Sequence, residues 1–400
     1  MQTSFIVSGI RTPIGKLRGS LSSVRADDLA AIPLKALLNR HSSLDPALID
    51  DVIMGCANQA GEDNRNVARM ALLLADLPYT VPGETINRLC ASGMSAVVQA
   101  NRAITCGDAN LVIAGGVEHM TRAPMVMSKS SVPYGGQHEM YDSSFGWRFV
   151  NPSMFAMYGT DAMGITAENL AAKCRIQRED QDQFAFWSQS KASLAQSSGI
   201  FVDEIVPVTI KSGKQEISFS DDEFLKPDTT LEALALLKPA FLKDGTVTAG
   251  NASGLNDGAA ALLLASGREV QHHGLEPMAR IVGSSVVGVE PAVMGIGPVE
   301  ASQRALKNAG LTMDQMDIVE INEAFAVQVL ACLRALHIAD DDPRVNPNGG
   351  AIALGHPLGM TGARIILSTA LQLKRKNLKY ALVTMCVGVG QGYAVILEKA

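Results

Sequence analysis

TINRLCASGMSA at residues 85–96, followed by NLVIAGG at residues 110–116, has a second version later in the chain. There the order is ALGHPLGMTGA at residues 353–363 and YALVTMCVG at residues 380–388. Each version has a turn of small residues, a Gly-Met pair followed by Ser or Thr, a helical segment, an apolar strand and a glycine. The repeat favours two similar halves that face each other, although any two turn-helix-strand units share part of this pattern.

Composition excludes several classes of protein. The 400 residues are 47% hydrophobic and 18% charged, so the chain can bury several cores and is not disordered. Lys and Arg total 34 against 40 Asp and Glu, a net charge of −6 that does not favour nucleic-acid binding. No apolar run approaches the ~18 residues of a membrane span, so no membrane partner is expected. Residues 1–7 predict a first strand rather than a signal peptide, and we expect a cytoplasmic protein.

Six cysteines are scattered along the chain without a Cys-x-x-Cys pair or a Cys/His ligand spacing. This distribution disfavours both a disulfide scaffold and a zinc site. We therefore expect no bound metal, and we expect some thiols to be chemically active. The six are Cys56, Cys90, Cys106, Cys174, Cys332 and Cys386.

Apolar runs rich in β-formers alternate with helical patterns, which is typical of an α/β sheet protein. Many of these runs end in glycine, where backbone can approach a ligand closely. The predicted strands cover residues 51–54, 110–114, 259–264, 279–282, 317–321, 380–385 and 393–397.

A segment of different character, residues 121–250, lies between the halves. It contains both tryptophans, and residues 180–193 form an amphipathic helical pattern. Methionines cluster at its start, and such flexible side chains suit a wall that covers an acyl or pantetheine chain. An ordinary core or a subunit interface explains the cluster equally well. The cluster is Met120, Met125, Met127, Met140, Met154, Met157 and Met163.

Cys90 lies at the start of a helix predicted over residues 93–104. A free thiol has a pKa of about 8.5, and the thiolate is the nucleophile. The positive end of a helix dipole can lower that pKa to near 7 for about 2 kcal/mol. A small buried hydrophobe is the commoner fate of a free cysteine, but the small neighbours and Gly93 favour a nucleophile.

His356 lies in a glycine-dense loop, NPNGGAIALGHPLG at residues 346–359. Such a loop must satisfy its own backbone polar groups, which packing alone does not explain. We therefore interpret it as a site. Five other histidines have the character of surface or packing residues: His41, His138, His272, His273 and His337.

Cys386 ends the strand predicted over residues 380–385 and opens CVGVGQG at residues 386–392. A Gly-x-Gly-x-Gly pattern binds dinucleotides only where a helix follows, and here a strand follows, so NAD binding is rejected. The turn offers Gly388 and neighbouring N–H groups to an oxyanion, beside a second thiol that could act as acid or base. Asn322, directly after the strand at 317–321, could hold a water, or it could cap a helix.

Taken together, the motifs resemble those of the thiolase family. They are RTPIG at residues 11–15, CASG at 90–93, GTVTAGNASGLNDG at 245–258, NEAF at 322–325, GHP at 355–357 and CVGVGQG at 386–392. The resemblance covers nearly the whole chain. It implies an α/β, five-layered αβαβα fold of two duplicated halves with an inserted loop domain, assembled as a homotetramer or dimer. The implied divisions are residues 1–120 plus 251–272, 121–250 and 273–400.

The resemblance also implies the chemistry. Cys90, activated by His356, would take the acyl group of a 3-oxoacyl-CoA, and Cys386 would protonate the leaving enolate. Asn322 and Gly388 would help to hold the anionic oxygens. Coenzyme A is then a co-substrate, and no cofactor is permanently bound. The implied pantetheine path comprises Ser253, Ala249, Phe241, Met163 and Phe325, with Ser253 the best supported.

Three segments resemble one group within the family, the bacterial 3-oxoadipyl-CoA thiolases: residues 24–31, 55–69 and 146–152. Their substrate ends in a carboxylate, which an arginine would bind. Arg148 and Arg65 are the candidates, or they serve a subunit contact. Residues 91–95 and the pair Glu118-His119 depart from that group, so thiolases of fatty 3-oxoacyl-CoA or acetoacetyl-CoA remain alternatives.

Three other activities remain to be separated from thiolysis. A decarboxylating 3-oxoacyl synthase shares the fold but uses Cys-His-His, and the thiol at Cys386 argues against it. A Cys-His hydrolase would need no coenzyme A. A lipid or CoA carrier would have no need of two thiols beside the His356 loop.

Overall fold

Strands and helices alternate along the chain, as the sequence pattern predicts. A computed structural model describes residues 2–213 and 215–400, so Met1 lies outside the described residues. The strands are β1 Ser4–Arg11, β2 Gly15–Lys16, β3 Asp51–Gly55, β4 Gly83–Ile86, β5 Leu111–His119, β6 Met125–Met127, β7 Met140–Asp142, β8 Val208–Ser212, β9 Gln215–Phe219, β10 Asn256–Ser266, β11 Ala279–Gly288, β12 Ile318–Ile321, β13 Tyr380–Val387 and β14 Gln391–Lys399.

Helices connect most of these strands. They are α1 Ala26–Arg40, α2 Val67–Leu74, α3 Ser92–Cys106, α4 Pro152–Tyr158, α5 Met163–Cys174, α6 Arg178–Ser197, α7 Leu231–Ala235, α8 Gly267–His272, α9 Gly297–Ala309, α10 Ala326–Ala335, α11 Ala351–Leu354 and α12 Leu358–Lys376. All eight predicted strands are present, including the one predicted in residues 1–7, which is found as β1 Ser4–Arg11, and so are both predicted helices. Most of them are longer than predicted at one or both ends. No helix in the described parts of the chain is long and apolar enough to cross a membrane.

Two groups of strands repeat one topology. In the first, β1 pairs with β10 and β10 with β5 in antiparallel fashion, and β5, β3 and β4 follow in parallel. In the second, β11 pairs with β14 and β14 with β13 in antiparallel fashion, and β12 follows in parallel. A parallel bridge from Val319 to Val345 occupies the place of the outermost pair. The duplication suggested by the two similar stretches is confirmed.

The two groups of strands and their helices stack in five layers. α1 and α2 cover the outer face of the first group, α9 and α10 cover the second, and α3 and α12 lie between them. The sequence of β5 is almost continuously apolar because both faces of the strand are buried. Val112 and Ala114 face the central layer, whereas Leu111 and Ile113 face the outer helices.

Glycines let the two central helices approach each other closely. A Cβ on Gly362 would overlap the backbone of Met94 in α3, and a Cβ on Gly93 would overlap the carbonyl of Gly359 at the start of α12. Gly116, which follows the strand predicted over residues 110–114, belongs to β5. A Cβ there would also overlap the carbonyl of Gly359, so the glycine is needed for this contact.

The inserted segment leaves the core after β5 and returns at β10. It contains two hairpins, β6–β7 and β8–β9, and the helices α4 to α7. Arg11 of β1 anchors the inserted segment to the first half. Its guanidinium donates buried hydrogen bonds to Glu204, at 2.7 Å, and to Asp222, at 2.7 and 2.8 Å. The strand order supports the expected domain divisions, whose boundaries stay predictions.

Candidate active site

The Cys90 turn directly precedes α3. Cys90 belongs to a short 3-10 turn, Leu89–Ala91, that hydrogen bonds from its neighbours hold in shape. The Leu89 N–H donates to Asn87 Oδ1 at 2.9 Å, and Ser92 Oγ donates to the Leu89 carbonyl at 2.7 Å. Leu89 has a φ of 47°, an unfavourable value for a branched side chain. The turn therefore stores strain next to the thiol.

The backbone of His356 is fixed from the opposite half. Its N–H donates to Asn256 Oδ1 at 3.0 Å, and Asn256 Nδ2 donates to the carbonyl of Gly15, also at 3.0 Å. Gly355 has a φ of 105° and lies so close to the Asn256 side chain that a Cβ would overlap it. Gly15, the last residue of the RTPIG motif, thus supports the histidine loop through the side chain of Asn256.

Hydrogen bonds also define which nitrogen of His356 carries the proton. Nδ1 lies 2.7 Å from Thr361 Oγ1, and that hydroxyl donates its one proton to the Pro357 carbonyl at 2.8 Å. Thr361 can then only accept from His356, so the proton is on Nδ1. Nε2 is left unprotonated and able to act as a base.

Asn322 lies behind this imidazole at the end of β12. Its Nδ2 is 3.4 Å from His356 Nε2, and its backbone N–H donates to the Thr384 carbonyl at 3.0 Å. The buried Oδ1 has no hydrogen-bond partner among the described residues. A helix cap was the alternative, but α10 is capped by Phe325, so that alternative is wrong. The orphaned oxygen suits a bound water.

Cys386 lies one residue before the end of β13, and Gly388 follows in the turn to β14. The backbone N–H groups of Gly388 and of Cys90 itself favour the charged form of the Cys90 thiol. β14 follows this turn directly, which agrees with the rejection of a dinucleotide-binding motif. Val389 in the same turn has a φ of 63°, so strain flanks the site on both sides.

One cleft of about 550 Å³ brings these groups together. Cys90 comes from the first half, and His356, Cys386 and Gly388 come from the second. Four of the five residues expected along the pantetheine path also line the cleft: Met163, Phe241, Ser253 and Phe325. Phe241 and Phe325 meet edge to face with their ring centres 6.2 Å apart. Ala249 is exposed and lies outside the lining, and Asn322 lies behind His356 rather than on the surface of the cleft.

Burial makes the resting site neutral. It raises the pKa of the Cys90 thiol to about 11, against the effect of the two backbone N–H groups. It lowers the pKa of His356 to about 3, with a smaller contribution from the Arg364 charge. It also raises the pKa of Cys386, which the neighbouring Cys90 raises further. The expected lowering of the Cys90 pKa toward 7 is therefore wrong for the free enzyme.

Glu118 is a buried carboxyl group in the wall of this cleft. It accepts the N–H groups of Ala57, Asn58 and Gly359 at 3.0, 3.1 and 2.8 Å. Burial raises its pKa to about 7, although these three bonds favour its charged form. The bond to Gly359 links the end of β5 with the start of α12. Glu118 thus ties the nucleophile half to the histidine half.

The two arginines proposed for a substrate carboxylate are placed differently. Arg148 lines the cleft and donates to the Ser143 carbonyl at 3.1 Å and to Asn58 Oδ1 at 3.4 Å. No ion pair of Arg148 with a carboxylate is found among the described residues. Arg65 is exposed and does not line the cleft.

Two residues of the site were missed by sequence reasoning. Thr361, which sets the proton position on His356, lies within one turn of the GHP motif, so its hydroxyl was a readable signal. Asn256 lies 100 residues from the backbone group that it binds. No local pattern marks such a pairing.

Comparison with known proteins assigns the family. The family model described as "Thiolase, N-terminal domain" matches residues 4–268, and "Thiolase, C-terminal domain" matches residues 275–399. The chain belongs to the thiolase family. It is an acyltransferase that cleaves 3-oxoacyl-CoA with coenzyme A as co-substrate.

Individual relatives match over their full length. A protein of Escherichia coli strain K12 named "3-oxoadipyl-CoA/3-oxo-5,6-dehydrosuberyl-CoA thiolase" is 59% identical and covers 100% of both chains. A Pseudomonas aeruginosa protein named "Beta-ketoadipyl-CoA thiolase" is 58% identical over 99% of this chain and 98% of its own. The crystal structure of the Bacillus anthracis acetyl-CoA acetyltransferase matches with a TM-score of 0.92 at 42% identity, covering 100% of this chain and 99% of that one. The five-layered duplicated fold is confirmed.

The raised pKa of Cys90 predicts slow alkylation of the free enzyme at neutral pH. Because only the thiolate reacts, the rate should climb by about tenfold per pH unit from pH 7 and should still be rising at pH 9.5. Iodoacetamide labelling of the Cys90 peptide, followed by mass spectrometry, measures this rate. The exposed Cys106 serves as internal reference for the reagent. A plateau below pH 9 would contradict a thiol that is protonated at neutral pH.

Proposed function

We propose that this thiolase cleaves 3-oxoadipyl-CoA to succinyl-CoA and acetyl-CoA, in the degradation of aromatic compounds. One observation carries the chemical part of the proposal: a single cleft joins Cys90, His356 and Cys386 from the two halves. His356 Nε2 takes the proton of the Cys90 thiol as Sγ attacks carbon 3 of the substrate. The oxyanion that forms faces the N–H groups of Cys90 and Gly388, and each such donor contributes about 3 kcal/mol.

Breaking the bond between carbons 2 and 3 leaves a succinyl group on Cys90 and the enolate of acetyl-CoA. Cys386 gives its proton to carbon 2 of that enolate. The enolate oxygen faces His356 and a water held by the unpartnered Oδ1 of Asn322. The Cys386 thiolate then takes the proton of coenzyme A, whose sulfur attacks the acyl group and displaces the Cys90 thiolate. That thiolate takes back the proton held by His356, so both thiols end protonated and the imidazole neutral, as they began.

Two facts support the choice of a dicarboxylic substrate. The relatives quoted above carry names of 3-oxoadipyl-CoA thiolases. Arg148 and Glu118 are the charged side chains in the lining, and Glu118 is already occupied by three N–H groups. Arg148 has only neutral partners, so its positive charge is free for the terminal carboxylate of the substrate.

Substitution Cys90→Ser should abolish formation of the acyl-enzyme. A serine hydroxyl is much less acidic than a thiol and a weaker nucleophile, so we expect turnover to fall at least about 10³-fold. The test is intact-mass spectrometry after each protein is mixed with 3-oxoadipyl-CoA in the absence of coenzyme A. The wild type and the control variant Cys106→Ser should carry a succinyl adduct, and Cys90→Ser should carry none. Continued turnover without coenzyme A, or an adduct on Cys90→Ser, would refute the mechanism.

Substitution Arg148→Ala should raise KM for 3-oxoadipyl-CoA by about tenfold to a hundredfold, the loss of one charge-assisted contact. Acetoacetyl-CoA has no terminal carboxylate, and its KM should change by less than about threefold. Steady-state kinetics on both substrates test this, with Arg65→Ala as the exposed control. Equal changes for the two substrates would remove Arg148 from recognition and favour a fatty or acetoacetyl substrate.

We also propose that the chain assembles as a homotetramer through the β6–β7 hairpin. Met125, Met127 and Met140 are all more than half exposed on its two strands. A two-stranded hairpin is only marginally stable by itself, so an apolar one on the surface needs a partner. This favours the interface explanation for these three methionines, whereas Met120 and Met163 of the same cluster line the cleft. A cytoplasmic location stays a prediction.

The double substitution Met127→Lys and Met140→Lys should lower the molecular mass in solution, because two buried charges would be introduced at each contact. Light scattering coupled to gel filtration measures the mass. Val202→Lys, at an exposed apolar site away from the hairpin, is the control. An unchanged mass in the double variant would exclude the hairpin as the interface.

A further inference from the structure

Arg88 connects the two halves two residues before the nucleophile. Its Nε donates to Ser95 Oγ of α3 at 2.9 Å, within the first half. Its Nη1 donates to Gln391 Oε1 at 3.0 Å, and Gln391 begins β14 of the second half. The guanidinium also lies over the ring of Tyr393, 5.8 Å from its centre. One planar group thus holds a helix of one half and a strand of the other.

Apart from the Gly388 N–H at the Cys90 thiol, the bond from Arg88 to Gln391 is the only side-chain hydrogen bond that links the Cys90 turn, residues 87–91, to the turn at 386–391 in the described parts of the chain. Both turns contain a strained residue, Leu89 with a φ of 47° and Val389 with a φ of 63°. Strained backbone persists only where surrounding contacts hold it. The internal hydrogen bonds of the Cys90 turn do not reach the second turn. The Leu89 side chain packs next to Gly388, and Arg88 adds a directed hydrogen bond to Gln391.

We propose that Arg88 is a positioning residue that sets the distance between the Cys90 sulfur and the Gly388 N–H through Gln391. The proposal rests on Cys90 as the nucleophile of the proposed function. When the link is broken, the turns relax apart, and the N–H that holds the sulfur and the later oxyanion moves out of line. A misplacement of about 1 Å can cost 10²-fold in rate.

The chemistry of the link explains why this residue is an arginine. Its nitrogens point in fixed directions in one plane, so Nε and Nη1 can bind Ser95 and Gln391 at the same time. A lysine carries the same charge, but its three donors lie on one freely rotating nitrogen and have no fixed plane. Neither partner is charged, so the link depends on geometry rather than on an ion pair.

A double-mutant cycle tests the link on the full-length enzyme. The variants are Arg88→Met, Gln391→Met and the double substitution, together with Arg88→Lys. Arg102→Met is the matched control, because Arg102 is an exposed arginine on α3 without a described side-chain hydrogen bond. Four quantities are measured for each: kcat and KM on 3-oxoadipyl-CoA, the pH profile of Cys90 alkylation, and the melting temperature.

We expect Arg88→Met and Gln391→Met each to lower kcat by about tenfold to a hundredfold with little change in KM. The double variant should be no worse than the more impaired single variant, since both break one link. The alkylation profile should move to higher pH, because the Gly388 N–H no longer favours the thiolate. Arg88→Lys should lie between Arg88→Met and wild type, and Arg102→Met should equal wild type.

Other results would overturn the proposal. Additive effects of the two single substitutions would mean that Arg88 and Gln391 act separately. A lower melting temperature with an unchanged alkylation profile would mean a structural role alone. If Arg88→Met does not fold, Gln391→Met gives the same readouts by itself. Alkylation needs no substrate, so these results remain decisive even if acylation of Cys90 were to fail.

Discussion

The contact between the two central helices is the constraint on which the active site depends. α3 begins just after Cys90, and α12 begins just after His356. Their separation therefore determines whether the sulfur and the imidazole can share a cleft. Glycines at positions 93 and 362 let the backbones come closer than any side chain would permit. Because Gly116 of β5 opens space for the same helix start, the sheet and both helices are fixed together.

The site keeps its reactive groups uncharged until substrate arrives. In the free enzyme, burial opposes a thiolate at Cys90 and an imidazolium at His356, so neither ion forms by itself. The hydrogen-bond donors that could favour an anion are already in place around Cys90. Transfer of the proton thus becomes favourable when the negative charge can move on to the substrate oxygen, which the same N–H groups stabilise. Preorganised backbone, rather than a stored charge, then supplies most of the driving force.

Much of the fold could be predicted from local patterns. The strands, the central helix after Cys90 and the duplication all follow from apolar periodicity and from two similar glycine-containing stretches. The cysteines and the histidine of the cleft could be identified as candidate catalytic residues from the sequence. Each lies next to glycines, and the histidine lies in a glycine-dense loop that packing alone does not explain. The pKa of Cys90 could not be predicted, since it depends on burial by both halves. Arg88 and Asn256 act on partners 303 and 100 residues away, and no spacing rule reaches that far.

The inserted segment leaves and re-enters the core at neighbouring points. His119 ends β5, and its partner across the sheet is Asp257, next to the first residue of β10. Thr121, just beyond the exit, donates both its N–H and its hydroxyl to that aspartate, at 2.9 and 2.6 Å. A segment whose two ends meet at one point can change in length and sequence without shifting the strands on either side. Arg148, in the lining of the cleft, belongs to this segment, whereas the thiols and the imidazole belong to the two halves. Substrate preference can therefore change at those positions of the segment that make no bonds to the halves, while the chemistry stays as it is.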